Sequence, residues 1–389
     1  MCTQKIKKQY IGRQHRNRQG AVLVLSALML FMMLAFLAFT VDTGYLASSK
    51  GEIRRSADAA AIAGCWELFD DLVAGKTQSE CEVDVAAEAA LYAGFNPIAN
   101  TSPRLSNELN SPSVEVGYLS STNSNTLSTN FSLPFYAVRV TVKKNSQLNG
   151  EIPFFFGRIF GDSGRAIDAS ATAVMARNIS GFTTPVNGDE TLDMLPFALD
   201  LQTWNTISTN AAQDAFNYNP ATGVVTAGSD GVREVNLYPQ GTGSPGNRGT
   251  VDIGGANNST ADIARQIVHG ISEADIQALG KELKLDTDGS MTLNGDTGIS
   301  AGVKDELTSI IGESRIMPIF SSVSGNGNNA NYTIVKWVGV RILKVTLTGP
   351  LSKKAVIIQP APIISRNFVI SNSEASTSEY VYSPVLLAR

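Results

Sequence analysis

Histidine and cysteine are scarce in this sequence, with two histidines and three cysteines among 389 residues. His15 belongs to a basic tail, so His269 is the one histidine in the rest of the chain. The pattern puts His269 in the last turn of a predicted helix beside Gly270, where an imidazole usually interacts with the helix dipole. The few ligands that remain cannot make up a zinc-type site. We therefore expect no catalytic residue, no metal site and no cofactor, and we expect a protein that is not an enzyme.

Clustered positive charge is missing after residue 20. The first 20 residues carry six cations and no acid, and since the whole chain has a formal charge of −4, the remainder carries −10. The six cations are Lys5, Lys7, Lys8, Arg13, Arg16 and Arg18. Nucleic acid binding needs clustered lysine and arginine to face the phosphates. The acidic remainder therefore argues against nucleic acid as a partner.

Three loop-like stretches also lack the residues that a ligand site would need. An EF-hand loop starting at Asp286 would have Gly289 at position four and Thr297 at position twelve, where glycine at six and glutamate at twelve are required. In residues 241–248, Asn247 and Arg248 follow Gly246 at the positions where a phosphate loop requires lysine and then serine or threonine. Residues 325–329, rich in glycine and asparagine, are typical of a hairpin loop. We interpret all three as turns.

What the sequence does contain is a long apolar run, residues 21–41, with no charge and only two hydroxyl side chains. At 1.5 Å per residue it crosses a hydrocarbon core of roughly 30 Å. A buried core helix would need polar positions on one face, and a cleaved signal peptide usually has a shorter apolar region of about 7–15 residues. We therefore expect a retained, single-pass transmembrane helix in contact with the lipid bilayer.

The flanking charges predict its orientation. The cations of residues 1–20 lie at one end, whereas Asp42 and mixed charge follow the other end, so the positive-inside rule keeps the basic tail in the cytoplasm. We expect an inner (cytoplasmic) membrane protein with its bulk on the extracytoplasmic side.

A helical pattern continues beyond the span as a predicted helical stalk, residues 42–95. It contains a run of small residues that would let another helix approach closely; ordinary alanine helix propensity is the alternative explanation. The predicted helix-packing motif consists of Ser56, Ala57, Asp58, Ala59, Ala60, Ala61, Ala63 and Gly64. Cys65 and Cys81 flank the turn between two predicted helices, and a disulfide between them and two free thiols are equally compatible with the sequence.

The remainder predicts an α+β fold with mainly antiparallel sheet in two domains. Residues 96–177 form a small α+β domain with strands at 114–119, 135–143 and 169–176, residues 178–194 a polar linker, and residues 195–389 a C-terminal α+β domain. Three short helices in the last domain begin at Ser259, Ser272 and Ser300 and end at glycines. In the strand 332–347 the apolar face changes sides between Ile342 and Leu343, which indicates a bulge.

The order of these features resembles a known family. A basic tail, RQG, the apolar span, Asp42-x-Gly44 and RRSADAAAIAG are followed by FYAVRVTVK, FFFGRIFG and ASATAVMAR, an order similar to that of the TadE/TadG-like proteins of Flp pilus (tight adherence) assembly. The similarity covers residues 13–177 and is most specific at 56–64. It implies partnership with other pilus-assembly membrane proteins or pilin-like proteins. Relatives that are cut by a prepilin peptidase have glutamate five residues after the cleaved glycine, whereas Gly20 is followed there by Leu25, so we expect no such processing.

The leading hypothesis is therefore a membrane-anchored structural protein of pilus assembly that acts through helix packing and extracytoplasmic contacts, with homo-oligomerisation as an open possibility. The alternative is a membrane-tethered module that binds an envelope glycan or surface ligand through its C-terminal half. An extracytoplasmic hydrolase that uses a carboxylate pair is the third and least supported hypothesis.

Overall fold

The computed structural model describes nine stretches of the chain. They are residues 19–106, 112–130, 132–185, 190–208, 212–238, 248–254, 259–325, 327–371 and 376–388. Residues 1–18 and 241–247, which include most of the basic tail and of the rejected phosphate loop, lie outside them.

A single helix, α1, runs without a break over Gln19–Val73, 55 residues that contain no proline. Between Val22 and Val41 its side chains are exposed or half-buried, whereas its second half alternates exposed and buried positions. The first half is apolar on all sides, as a lipid-facing helix is, and the second half packs one side against the rest of the protein. The prediction that the helix continues beyond the span is confirmed, and α1 is the one helix in the described parts that is long and apolar enough to cross a membrane.

A short turn reverses the chain into helix α2, Gln78–Phe95. The turn ends in a cap in which the Glu80 carboxylate accepts hydrogen bonds from the backbone N–H and the hydroxyl of Thr77, at 2.8 and 2.7 Å. The cap satisfies donors that a helix start leaves unpaired. The helix ends at Asn96, before Pro97, and α1 and α2 form a helical hairpin.

The hairpin covers one face of a four-stranded antiparallel sheet. The strands of the N-terminal half are β1 Val114–Leu119, β2 Phe135–Lys144, β3 Ile152–Pro153, β4 Gly164–Arg165 and β5 Ile167–Ala176. Strand β2 pairs with β1 on one side and with β5 on the other. Apolar residues at every second position of β2, among them Val138 and Val140, pack with α1 and α2 in one core. The apolar residues that recur at every second position in the sequence of β2 therefore form the buried face of this sheet.

The C-terminal half adds sixteen strands among the described residues, from two to 17 residues long. They are β6 Ile179–Phe182, β7 Phe197–Asp200, β8 Phe216–Asn219, β9 Val224–Ala227, β10 Val235–Asn236, β11 Arg248–Val251, β12 Leu283–Lys284, β13 Met291–Asp296, β14 Ser314–Ser324, β15 Ala330–Thr346, β16 Ala355–Pro360, β17 Ile363–Ile364, β18 Val369–Ile370, β19 Ser378–Glu379, β20 Val381–Tyr382 and β21 Leu386–Leu387.

Five of these strands close into a ring. The pairings run β7–β11–β13–β15–β14 and return from β14 to β7, and of these pairings the one between β14 and β7 is parallel. Neighbouring residues of one strand face different cores: Trp337 belongs to one cluster and Val338 to the other. The predicted mainly antiparallel α+β fold is confirmed.

The predicted starts of the three helical segments in this half are confirmed, and so are two of their three predicted ends. The helices are α3 Leu201–Asn205, α4 Thr260–His269, α5 Glu273–Leu279 and α6 Lys304–Ser309, the last preceded by a 3-10 helix at Ala301–Val303. The hydroxyls of Ser259, Ser272 and Ser300 accept hydrogen bonds from helix-start amides. Gly270 and Gly280, both with positive φ, directly follow α4 and α5, whereas α6 ends at Ser309, three residues before the predicted Gly312.

The long strand β15 contains the predicted bulge. Its pairing with β16 steps from Ile342–Ile358 to Lys344–Ile357, which leaves Leu343 without a partner in the ladder. The extra residue brings Val345 and Leu347, which follow it, back to the core that also holds Ile342. The turn predicted near Asp286 is also present, with the Asp286 N–H donating to the Ser290 carbonyl at 2.8 Å.

The end of the described chain returns to the N-terminal sheet. Strand β21 pairs with β5, and Ser383 exchanges hydrogen bonds with Ala176 at 2.8 and 3.0 Å. The structure also differs from the prediction of a polar linker at residues 178–194, because this interval contains strand β6. Ile179 and Phe182 are buried there in the core of the C-terminal half, and a four-residue apolar pattern among polar neighbours is too short to reveal a strand.

Candidate functional site

The predicted helix-packing motif lies in the half of α1 that faces the protein. Ser56, Ala57, Ala60, Ala61, Ala63 and Gly64 are buried, and Asp58 and Ala59 are half-buried. The Ser56 hydroxyl donates to the Ala93 carbonyl near the end of α2 at 3.3 Å. Burial raises the pKa of Asp58, while the charge of Arg54 opposes the shift.

The surfaces that meet this motif belong to the same chain. A Cβ atom added at Gly64 would lie 3.2 Å from a methyl group of Val85 on α2 and 3.2 Å from a methyl group of Val138 on β2. Ala89 and Ala93 on α2 are fully buried beside it. The small residues therefore let α1 approach α2 and the sheet at once, as small residues do in close helix pairs. In this structure the helix in contact with the motif is α2 of the same chain.

Asp42 lies where the exposed apolar run of α1 ends. Its carboxylate is buried and accepts hydrogen bonds from three successive backbone amides, those of Phe155 at 2.7 Å, Phe156 at 3.1 Å and Gly157 at 2.7 Å. These amides open a 3-10 helix, Gly157–Phe160, and free amides at a helix start attract an anion. The Tyr45 ring also packs edge-to-face on Phe155, with centroids 5.1 Å apart.

We call the three hydrogen bonds from residues 155–157 to the Asp42 carboxylate the Asp42 clamp. The clamp joins two features that are separate in the sequence, the Asp-x-Gly sequence after the span and the aromatic cluster of residues 153–161. They are more than 110 residues apart, and no local pattern linked them. The one available signal was that both are unusual for their surroundings: a lone acid at the end of an apolar run, and a loop of large apolar side chains.

The two cysteines of the helical hairpin are free, buried thiols. The disulfide alternative is therefore not the state in this structure. Burial raises the pKa of Cys65 to about 12, and burial is also the largest cause of the raised pKa of Cys81. Because the thiolate is the reactive form, both side chains are poor nucleophiles where they lie.

An acidic cluster lies at the turn between α1 and α2. Glu67, Asp71 and Asp84 are the one group of three potential metal ligands within the described ranges. The Lys76 ammonium already bridges two of them, donating to Asp71 at 2.5 Å and to Asp84 at 2.6 Å. Its hydrogen bonds with Asp71 and then Asp84 raise the pKa of Lys76. The positive charge of Lys76 therefore already balances the carboxylates of Asp71 and Asp84 that a metal ion would otherwise neutralise.

The C-terminal half has an open groove of about 1250 Å³ beside β12 and β13. Lysines and acids alternate along it, among them Lys281, Lys284, Asp286 and Asp288, and no aromatic ring belongs to the described lining. Small-molecule sites are usually lined by apolar and aromatic side chains with a few polar groups. The mixed charge and the open shape make this groove a weak candidate for a specific ligand.

Two comparisons with known families bear on these features. Residues 20–74 match the family of TadE/G-like Flp pilus-assembly proteins, and residues 59–173 match a second family of Tad-like Flp pilus-assembly proteins. The two matches cover α1, α2 and the N-terminal strands, including the packing motif, the Asp42 clamp and its loop. No curated protein and no solved structure is significantly similar to the chain.

Proposed function

We propose that the chain is a membrane-anchored structural component of Flp pilus assembly. Residues 20–74 match the TadE/G-like family of Flp pilus-assembly proteins, and residues 59–173 match a second, Tad-like family of Flp pilus-assembly proteins. In this role it binds no cofactor and catalyses no reaction. Its function is to hold an extracytoplasmic α+β domain at a fixed position on the membrane, where that domain and the anchor contact other pilus-assembly proteins.

The observation that carries this proposal is the continuity of α1. The half up to Val41 is exposed and apolar, and the half from Asp42 to Val73 is part of the core of the outer domain. A continuous helix has no flexible joint, since each residue is held by backbone hydrogen bonds one turn apart. Movement of the anchor in the membrane is therefore transmitted to the outer domain directly.

In this proposal the motif at residues 56–64 packs the anchor helix rigidly against the rest of the domain. Its small residues are covered by α2 and β2 of the same chain, so a partner helix has no access to them while the domain is folded. Partner contacts then fall to the exposed span and to the outer surface of the domain. Pilin-like proteins, other pilus-assembly membrane proteins and a second copy of the chain are the partners that such surfaces can take.

The orientation follows from charge. The six cations that precede the span favour a cytoplasmic N-terminus in the inner membrane, which puts every strand of the protein on the extracytoplasmic side. A cysteine introduced at exposed Val83, in a background without Cys2, should react with a membrane-impermeant maleimide on intact spheroplasts. If the cysteine reacts only after lysis, position 83 lies on the cytoplasmic side and the predicted orientation is wrong.

The function is tested by affinity capture of the detergent-solubilised full-length protein. We expect pilus-assembly membrane proteins among the captured proteins, and we expect their loss when residues 22–41 are replaced by an unrelated apolar helix of the same length. Partners retained by the exchanged anchor would assign the contacts to the outer domain. Capture of no pilus component by either protein would contradict the proposal.

A further inference from the structure

A loop of the outer domain leaves four large apolar side chains exposed. Phe155 and Phe156 are 60% and 39% exposed, and Ile159 and Phe160 are 77% and 75% exposed. Soluble surfaces expose single apolar residues routinely, but a contiguous set of this kind marks an interaction surface. We refer to residues 155–160 as the aromatic loop.

The position of this loop relative to α1 identifies what it contacts. Its first three amides are hydrogen-bonded to the carboxylate of Asp42, and Asp42 follows Val41 directly. The exposed run Val22–Val41 has 20 residues, which at 1.5 Å per residue is about 30 Å, the thickness of the hydrocarbon core. The backbone of the aromatic loop is therefore level with the boundary between hydrocarbon and headgroups on the outer side.

From this geometry we propose that the aromatic loop inserts into the outer headgroup region of the bilayer that α1 spans, as a second membrane contact. The inference rests on the proposed function in one respect, that α1 crosses a membrane. Interfacial segments bury an apolar face roughly 5–10 Å deep at the boundary between headgroups and acyl chains. The phenyl rings and Ile159 provide the apolar face, and exposed Arg158 between them can pair with a lipid phosphate.

The occupant follows from continuity with the membrane span, because the loop adjoins the part of α1 where the lipid-facing surface ends. Phe95 is similarly exposed, at 67%, but lies farther from this boundary. It is two residues after Ala93, whose carbonyl accepts a hydrogen bond from the Ser56 hydroxyl. Ser56 is 14 residues after Asp42, which is about 20 Å along the helix and outside the headgroup layer.

The second contact has a mechanical consequence. One helix fixes the height of a domain but lets the helix and the domain tilt together relative to the membrane. A second insertion point on one side of α1 removes that freedom, because leaning away from the loop would expose its apolar side chains to water. The Asp42 clamp holds the two insertion points together, so the outer domain keeps one orientation relative to the membrane plane.

The test uses the full-length protein, with Cys2 replaced by serine, in vesicles of phosphatidylcholine with a minority of phosphatidylglycerol. A single cysteine at Ile159, Phe31 or Phe95 is labelled with an environment-sensitive fluorophore; Cys65 and Cys81 are buried. We expect lipids that carry a nitroxide near the headgroup to quench the label at Ile159, and lipids with a deep nitroxide to quench the label at Phe31. The label at Phe95, which is matched in exposure, should be unaffected.

The outcomes separate this proposal from the membrane anchor itself. If the label at Phe31 is quenched and the label at Ile159 is not, the anchor is inserted and the proposed loop contact is wrong. A blue-shifted label at Ile159 without lipid quenching would show that a protein surface covers the loop, which also overturns the proposal. Absence of quenching at Phe31 would contradict the membrane anchor and the loop contact together.

Discussion

Two glycines of α1 provide a matched test of the packing described above. Gly64 lies against Val85 and Val138, where an added Cβ would already be 3.2 Å from both methyl groups, whereas Gly51 has no atom within 4 Å of that position. Both lie in the helix interior, and both lose the same conformational freedom on folding. We compare Gly64→Leu with Gly51→Leu in the full-length protein.

The expected effects have opposite signs. Replacing an exposed helical glycine by a better helix former stabilises the protein by about 0.5–1 kcal/mol, so Gly51→Leu should raise the free energy of unfolding. At Gly64 the same gain is opposed by overpacking, which costs about 1–3 kcal/mol or more in a filled core. The two variants should therefore differ by roughly 1–3 kcal/mol, with Gly64→Leu the less stable.

The measurement is urea unfolding of the detergent-solubilised protein, followed by tryptophan fluorescence. Trp66 lies on α1 two residues after Gly64. Trp204 and Trp337 in the cores of the C-terminal half contribute to the same signal, so the midpoint reports on unfolding of the domain as a whole. Equal midpoints for the two variants would show that α1 does not pack closely on α2 and β2 in the folded protein. Gly64→Ala, which adds one carbon at the limit of the available space, should fall between Gly64→Leu and the wild type.

Three further predictions follow from the same contacts. Burial is the largest single influence on the pKa of Asp275 and would raise it, but hydrogen bonds from Arg265 and from the Ser272 hydroxyl and amide together outweigh burial and lower the pKa below 3.8. In acid unfolding, the wild type should therefore be more stable than Asp275→Asn above pH 3.8, and this advantage should disappear as the pH falls below that value. An advantage that does not change with pH would contradict the prediction. Cys65 and Cys81 should resist maleimide at pH 8 in the native protein and react after denaturation, whereas fast native labelling or a bonded pair in nonreducing peptide maps would refute the buried thiols. Asp42→Asn removes the negative charge that accepts hydrogen bonds from three amides of the aromatic loop. Hydrogen exchange of these amides should accelerate by a factor of about ten or more, because hydrogen bonds to a charged group contribute roughly 1.5–3 kcal/mol, while exchange in β2 stays unchanged. Equal acceleration in β2 would indicate global destabilisation instead.

Local signals in the sequence predicted much of this fold. The helical pattern beyond the span predicted that the anchor continues as one helix. The serine and glycine ends of α4 and α5 were visible because capping depends on a few neighbouring residues. The change of apolar face between Ile342 and Leu343 predicted the bulge, because side chains of a strand alternate strictly.

Contacts between distant parts of the chain were not predictable in the same way. Strand β21 has two residues and gains its position from pairing with β5, more than 200 residues earlier, so its sequence carries no strand pattern of its own. The small residues at 56–64 indicated a close approach without identifying the approaching helix. The spacing of Val85, Ala89 and Ala93, one small or β-branched residue per turn of α2, is the complementary signal, and it becomes specific only when the two helices are known to be antiparallel.

The division of α1 into an exposed half and a buried half determines how variants of this protein are to be interpreted. A substitution between residues 56 and 64 changes the packing of the outer domain, so any loss of partner capture follows from an altered fold before it follows from a lost contact. A substitution between residues 22 and 41 leaves that core untouched and changes only the surface that faces lipid or a partner. Partner contacts are therefore assigned from the exposed half of α1 and from the outer surface of the domain, in variants whose unfolding free energy equals that of the wild type.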